Sequence, residues 1–138
     1  MRIWFIAGLT ALASCAATPQ EAARAAADAA DQQAKLEREL AGLTPGESSD
    51  CLPTTSRPVL NSDVYGGTIV FTASRDLKFR NDTTGGCEAA QNDRASLVTS
   101  TPNGRLCRGD IVQVVDQITR IPLGNCALGD FTPYRRAP

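Results

Sequence analysis

Thr68-Ile69-Val70-Phe71-Thr72-Ala73-Ser74-Arg75-Asp76-Leu77-Lys78-Phe79-Arg80 decides the fold of this chain. Two short runs rich in β-branched and aromatic side chains flank a polar tetrapeptide, and such side chains suit a pleated, half-buried surface. The spacing predicts a hairpin, with strands at 68–72 and 77–80 and a turn at 73–76. Leu77 and Phe79 fall on one face while Lys78 and Arg80 fall on the other, the period of two that buries one side of a sheet.

Downstream the same texture continues. Asp82-Thr83-Thr84-Gly85-Gly86-Cys87 reads as a loop and 94–100 as a strand, turned back by Thr101-Pro102-Asn103-Gly104. Ile111-Val112-Gln113-Val114-Val115 is the strongest strand signal in the chain. A last strand is expected near 126–132, with Pro122 and Pro133 bracketing it and Tyr134-Arg135-Arg136 as a loose tail. Roughly five to seven short strands imply a mainly β head over 51–138, a small antiparallel sheet that is curled or closed into a barrel.

A head this small sits near the lower limit for a self-sufficient core, so covalent staples matter. Cys51, Cys87, Cys107 and Cys126 all lie within it. Four cysteines without close Cys-x-x-Cys pairs or any histidine read as two disulfides and not as a metal site. Three connectivities are open. The nested one, Cys51 with Cys126 and Cys87 with Cys107, is expected because its outer bridge closes the head, constraining the unfolded chain by about 4 kcal/mol.

Upstream the period is helical. Thr18-Pro19-Gln20-Glu21 forms a capping box with proline at the first helical position. An alanine-rich run follows, carrying Arg24/Asp28, Asp31/Lys35 and Lys35/Glu39 at i,i+4. Gly42 and Pro45 end it, giving a stalk helix over 19–41 and a turn-rich linker at 44–50. Ala22, Ala26, Ala29, Leu36, Leu40 and Leu43 trace a weak coiled-coil seam, interrupted by Gln33. A solvated single helix is the main expectation, and weak self-association through that seam is the alternative.

The first fifteen residues are a processing segment. Met1-Arg2 is a positive start, and residues 3–12 are an apolar run too short to span a bilayer, which needs about 20 residues. Leu12-Ala13-Ser14-Cys15 resembles the lipobox of bacterial lipoproteins at all four positions. That resemblance implies a signal peptide at 1–14, with Cys15 acylated by three palmitate-type chains as the first mature residue. Several chains together anchor stably. Ala16 in place of aspartate implies delivery to the outer membrane, facing the periplasm. The expected division is therefore 1–14, a lipidated stalk and linker at 15–50, and the head at 51–138.

Charge excludes one class of partner. Residues 16–50 carry a net charge of −4 and residues 51–138 a net charge of +2, with no concentrated basic face of the kind nucleic acid requires. The head resembles a family of uncharacterised small exported proteobacterial proteins, a domain of unknown function. The resemblance rests on Asn81 with Cys87, on Leu106-Cys107-Arg108-Gly109-Asp110, and on Cys126-Ala127-Leu128-Gly129-Asp130-Phe131. It implies domain limits and no activity.

Catalysis lacks a constellation. The chain has no histidine, hence no Ser-His or Cys-His pair, and nothing marks two carboxylates as partners. We therefore expect no enzyme and no cofactor. Arg108-Gly109-Asp110 reads as a turn before a strand and not as an integrin ligand. Gly66-Gly67 and Gly85-Gly86 read as turns and not phosphate cradles, and Asn81-Asp82-Thr83 is a formal glycosylation sequon. Arg75, Lys78 and Arg80 would form a positive patch on a solvated sheet face. The sequence thus points to a membrane-anchored module that binds an envelope protein or cell-wall polymer. The alternative is an inhibitor of an envelope hydrolase such as lysozyme, in the manner of small lipoprotein β-barrels, though their inhibitory loop motif is not recognisable here.

Overall fold

The computed structural model describes residues 17–53, 61–91, 94–101 and 104–137. The fold is mainly β. One helix, α1 (Pro19–Glu39), precedes strands β1 (Thr44–Pro45), β2 (Asn61–Tyr65), β3 (Thr68–Ser74), β4 (Leu77–Asp82), β5 (Ala95–Thr99), β6 (Ile111–Asp116), β7 (Pro122–Ala127) and β8 (Phe131–Arg135). They form two antiparallel sheets, a five-stranded one in the order β1-β8-β4-β3-β2 and a three-stranded one in the order β5-β6-β7. The expected hairpin is present as β3 and β4, with Phe71 opposite Phe79.

The main core lies between the sheets. Ile69, Phe71, Phe79 and Phe131 come from the large sheet, and Val112, Val114 and Cys126 from the small one. Phe71 and Phe131 meet with ring centroids 5.7 Å apart. β3 is buried on both faces, because Val70 points away from this core into a second cluster with Leu36 and Leu40 of the helical segment. Helix end, large sheet and small sheet are thus stacked as three layers.

Helix α1 begins as expected, Thr18 accepting from Glu21 N and donating its own N–H to Glu21 Oε2 at 2.8 Å. It ends at Glu39, two residues short of the expected 41, and Leu40 caps it. Its N-terminal turns are solvated, but its last turns are not a free stalk. Leu36 and Leu40 seat on Val70, and Tyr65 and Tyr134 pack against this cluster. Lys78 pairs with Glu39 and donates to the Glu39 carbonyl at 2.9 Å, placing a cation on the helix C-terminus where the dipole favours one. The face expected to be solvated and basic is therefore covered. Arg80 there is bonded to Asp82 at 3.0 Å. Two leucines of the expected self-association seam are occupied by the chain's own sheet.

Residues 44–50, expected as a linker, instead complete the large sheet. β1 pairs with β8, Gly46 N donates to Pro133 O at 2.7 Å, and Ser49 exchanges two backbone hydrogen bonds with Phe131. Without that ribbon the outer edge of β8 would carry unpaired backbone groups. The tail is likewise ordered. Tyr134 and Arg135 belong to β8, and Arg136 bonds Asp76 through both its backbone and its guanidinium. The single strand expected at 126–132 is two strands, β7 and β8, separated at 128–130. Asn81, fully buried, fixes that bend: its Nδ2 donates to Gly129 O at 2.8 Å and its Oδ1 accepts from Gly129 N at 2.9 Å.

Both disulfides form, but the nested pairing is corrected. Cys51 joins Cys107 and Cys87 joins Cys126. Cys51 and Cys107 face each other across an antiparallel bridge, flanked by Leu52 N to Leu106 O at 2.8 Å and Arg108 N to Asp50 O. Backbone pairing places their Cα atoms 3.9 Å apart. Cys87 reaches Cys126 because Gly86, at φ 96°, lies flat against Asn125, where any Cβ would strike the Asn125 carbonyl at 2.2 Å. Each bridge constrains the unfolded chain by about 4 kcal/mol taken singly.

Candidate functional site

The lipidation residue Cys15 and the signal segment 1–14 lie outside the described residues. The four remaining cysteines are all in bridges and carry no free thiol. Among the described residues no group of three or more Cys, Asp or Glu side chains is arranged to hold a metal ion. Arg108-Gly109-Asp110 is a turn, with Gly109 at φ 87°. Arg108 bridges Asp50 and Asp130, and Asp110 Oδ2 accepts from Cys107 N at 2.8 Å. The Asp110 carboxylate is therefore already used inside the fold. The sequon asparagine is Asn81, whose amide is buried and bonded.

What the surface offers is apolar. Among the described residues the large hydrophobic side chains left exposed are Val98, Ile111, Ile118, Ile121 and Leu123. All five belong to the small sheet or its β6–β7 turn, and Ile118 is 85% exposed. Strand alternation explains part of this. Val112 and Val114 point into the core, so Ile111 and the pair Val98/Gln113 point outward onto a face that none of the described residues covers.

The turn carrying Ile118 is rigid. Asp116 Oδ1 accepts from Ile118 N at 2.9 Å, Thr119 N at 2.7 Å and Thr119 Oγ1 at 3.0 Å. The Asp116 backbone closes the ring, its carbonyl accepting from Arg120 N and its N–H donating to Ile121 O, both at 3.0 Å. Arg120 takes a left-handed φ of 61° to complete it. The bonds from Thr119 and then Ile118 hold the Asp116 carboxyl below the usual aspartate range. The result is a preorganised tip that holds one isoleucine in water, the arrangement in which a side chain loses least on entering a partner's pocket. Sequence reading passed over this tip. Its signal was Asp116 three residues before Thr119, the Asx-turn pattern, with two isoleucines inside a polar turn.

A cleft of about 360 Å³ opens on another side, between β2 and β5 and beside the one-turn 3-10 helix Glu88–Gln91. Ser62, Asp63, Gln91 and Gln117 give it a polar lining. At its rim Tyr65 has its hydroxyl pushed up to about 12, by burial first and then by the charges of Glu39 and Asp63. No helix among the described residues is long and apolar enough to cross a membrane. Comparison with known proteins adds no relative: no family model, curated protein or solved structure matches the chain.

Proposed function

We propose that this chain is a lipoprotein of the bacterial envelope. Acylated at Cys15 and held on the periplasmic side of the outer membrane, it acts as a non-catalytic interaction module whose head grips a partner protein. Two disulfides fit an oxidising compartment. The observation that carries the binding role is Ile118, held in solvent on a turn locked by Asp116. An exposed apolar anchor on a rigid loop costs little ordering entropy on binding.

The test is photo-crosslinking in cells, with a photoreactive residue at position 118 or, as a control, at position 26 of the solvated helix. A discrete adduct from 118 alone, lost when Ile121→Asp is added, supports the reading. Equal crosslinking from both positions overturns it. Anchoring is tested separately, by the intact mass of protein from native membranes. An unmodified Cys15, or a Cys15→Ser variant that stays with the membrane, rules the anchor out.

The same tip supports a narrower version of the role. A rigid, protruding loop with an apolar end is also what an inhibitor of an envelope hydrolase presents to its target. Loss of activity across a panel of lysozymes, relieved by Ile118→Asp, would establish that version; no inhibition would remove it.

A further inference from the structure

The two disulfides are set differently in the fold. Cys87 and Cys126 belong to the main core and are 0% and 3% exposed. Beside them two backbones meet so closely that a Cβ on Gly124 would lie 2.7 Å from the Gly86 carbonyl. Cys51 and Cys107 lie outside that core and are only half-buried. Their chain neighbours Asp50 and Arg108 have side chains 73% and 58% exposed. Thiol–disulfide exchange needs a thiolate to reach one sulfur of the bridge, so access decides which bridge can take part. A sulfur packed in a core offers no approach, and one at the surface does.

The second observation concerns what holds Cys51 against Cys107. Leu52 N donates to Leu106 O at 2.8 Å on one side of the pair, and Arg108 N to Asp50 O at 2.6 Å on the other. Further along, Ser49 exchanges two backbone bonds with Phe131. Leu52, 3% exposed, anchors the same segment in the main core. None of these contacts passes through sulfur. With the bond cut, the backbone still holds the two Cα atoms close to their present 3.9 Å. Two thiols kept side by side re-close in an intramolecular step, at a high effective concentration.

We propose that Cys51–Cys107 is an exchangeable bridge, opened by dithiols and closed again in place, whereas Cys87–Cys126 is a permanent staple. In opening, a thiolate of the incoming dithiol bonds to one of the two sulfurs. The S–S electron pair leaves on the other sulfur, which takes up a proton. The second thiol of the reagent, deprotonated, then attacks its own partner sulfur in the mixed disulfide and releases the chain's second thiol. The dithiol is oxidised by two electrons to a disulfide, and its two protons end on Cys51 and Cys107. A small disulfide reverses both steps. The head thus carries a two-electron thiol site that works without unfolding and is separate from the Ile118 tip.

The test uses the full chain with Cys15→Ser, reduced with dithiothreitol at neutral pH, trapped with iodoacetamide and mapped by peptide mass. Cys51 and Cys107 should be labelled together, at least roughly tenfold faster than Cys87 and Cys126. In that half-reduced form the Leu52 and Arg108 amides should keep their protection from hydrogen exchange. Oxidised glutathione should then restore Cys51–Cys107 and no other pairing. One common rate for all four cysteines, or no labelling short of unfolding, overturns the proposal. So does earlier labelling of Cys87 and Cys126, loss of the Leu52 and Arg108 protection on the first reduction, or re-oxidation to a different pairing.

Discussion

The two sheets of this molecule are built from similar strands but are covered differently. The five-stranded sheet is packed on both faces, with Val70 against the helix end and Phe79 against the small sheet. Among the described residues the three-stranded sheet is packed on one face only, and its other side and the adjoining turn carry the exposed valine and isoleucines. Buried area in either sheet is stabilising; the exposed apolar area of the second contributes nothing while it faces water. The doubly covered layer is where substitutions should be felt in stability, and the singly covered one is where they should be felt in binding.

The sharpest way to break this contrast is at its centre. Phe79→Ala, in a site 1% exposed, should destabilise the protein by about 3–5 kcal/mol, read as a lowered chemical-denaturation midpoint. A loss no larger than that from a surface residue would end the distinction. Leu36→Ala should cost about 2 kcal/mol, because Leu36 is buried in the second cluster, which is far smaller than the main core. Hydrogen exchange should show α1 losing protection while β3 and β4 keep theirs; simultaneous loss in all three would make the helix part of one cooperative unit.

Acid reaches the small sheet more gently. Asp116 has its carboxyl held below the ordinary aspartate value of 3.8, so the order it lends the turn is present above that value and disappears as pH falls through its own lower pKa. Amide shifts of Ile118 and Thr119 should stay flat from neutral pH until strong acid and then move together. In Asp116→Asn that step should be missing. The smallest effect is expected at the tip itself, where Ile118→Ser should alter stability by no more than about 0.5 kcal/mol. A markedly larger loss would mean that Ile118 is part of the fold and not a surface held ready.

Legibility followed the range of the signal. The helix start was readable because Thr18 and Glu21 satisfy each other within one turn, and the β3–β4 hairpin because its apolar runs and turn are contiguous. β2 went unread: Asn61, Ser62 and Asp63 favour turns, and they are extended because β3 offers an unpaired edge beside them. Residues 44–50 and the tail were misjudged for the same reason, since each became strand by lying beside β8 or β4. Of the candidate site, the Asx pattern at Asp116 was visible, but nothing local said that Ile118 would face water.

Composition and periodicity alone settle that this chain is one capped helix followed by a disulfide-stapled β head, because capping, strand alternation and cysteine number act over a few residues or need no geometry. Which cysteines pair and which apolar face the described residues leave bare were decided only when the layers met. Those outcomes depend on what lies across a sheet, and residues such as Cys87 and Cys126 become neighbours through packing and not through their place along the chain.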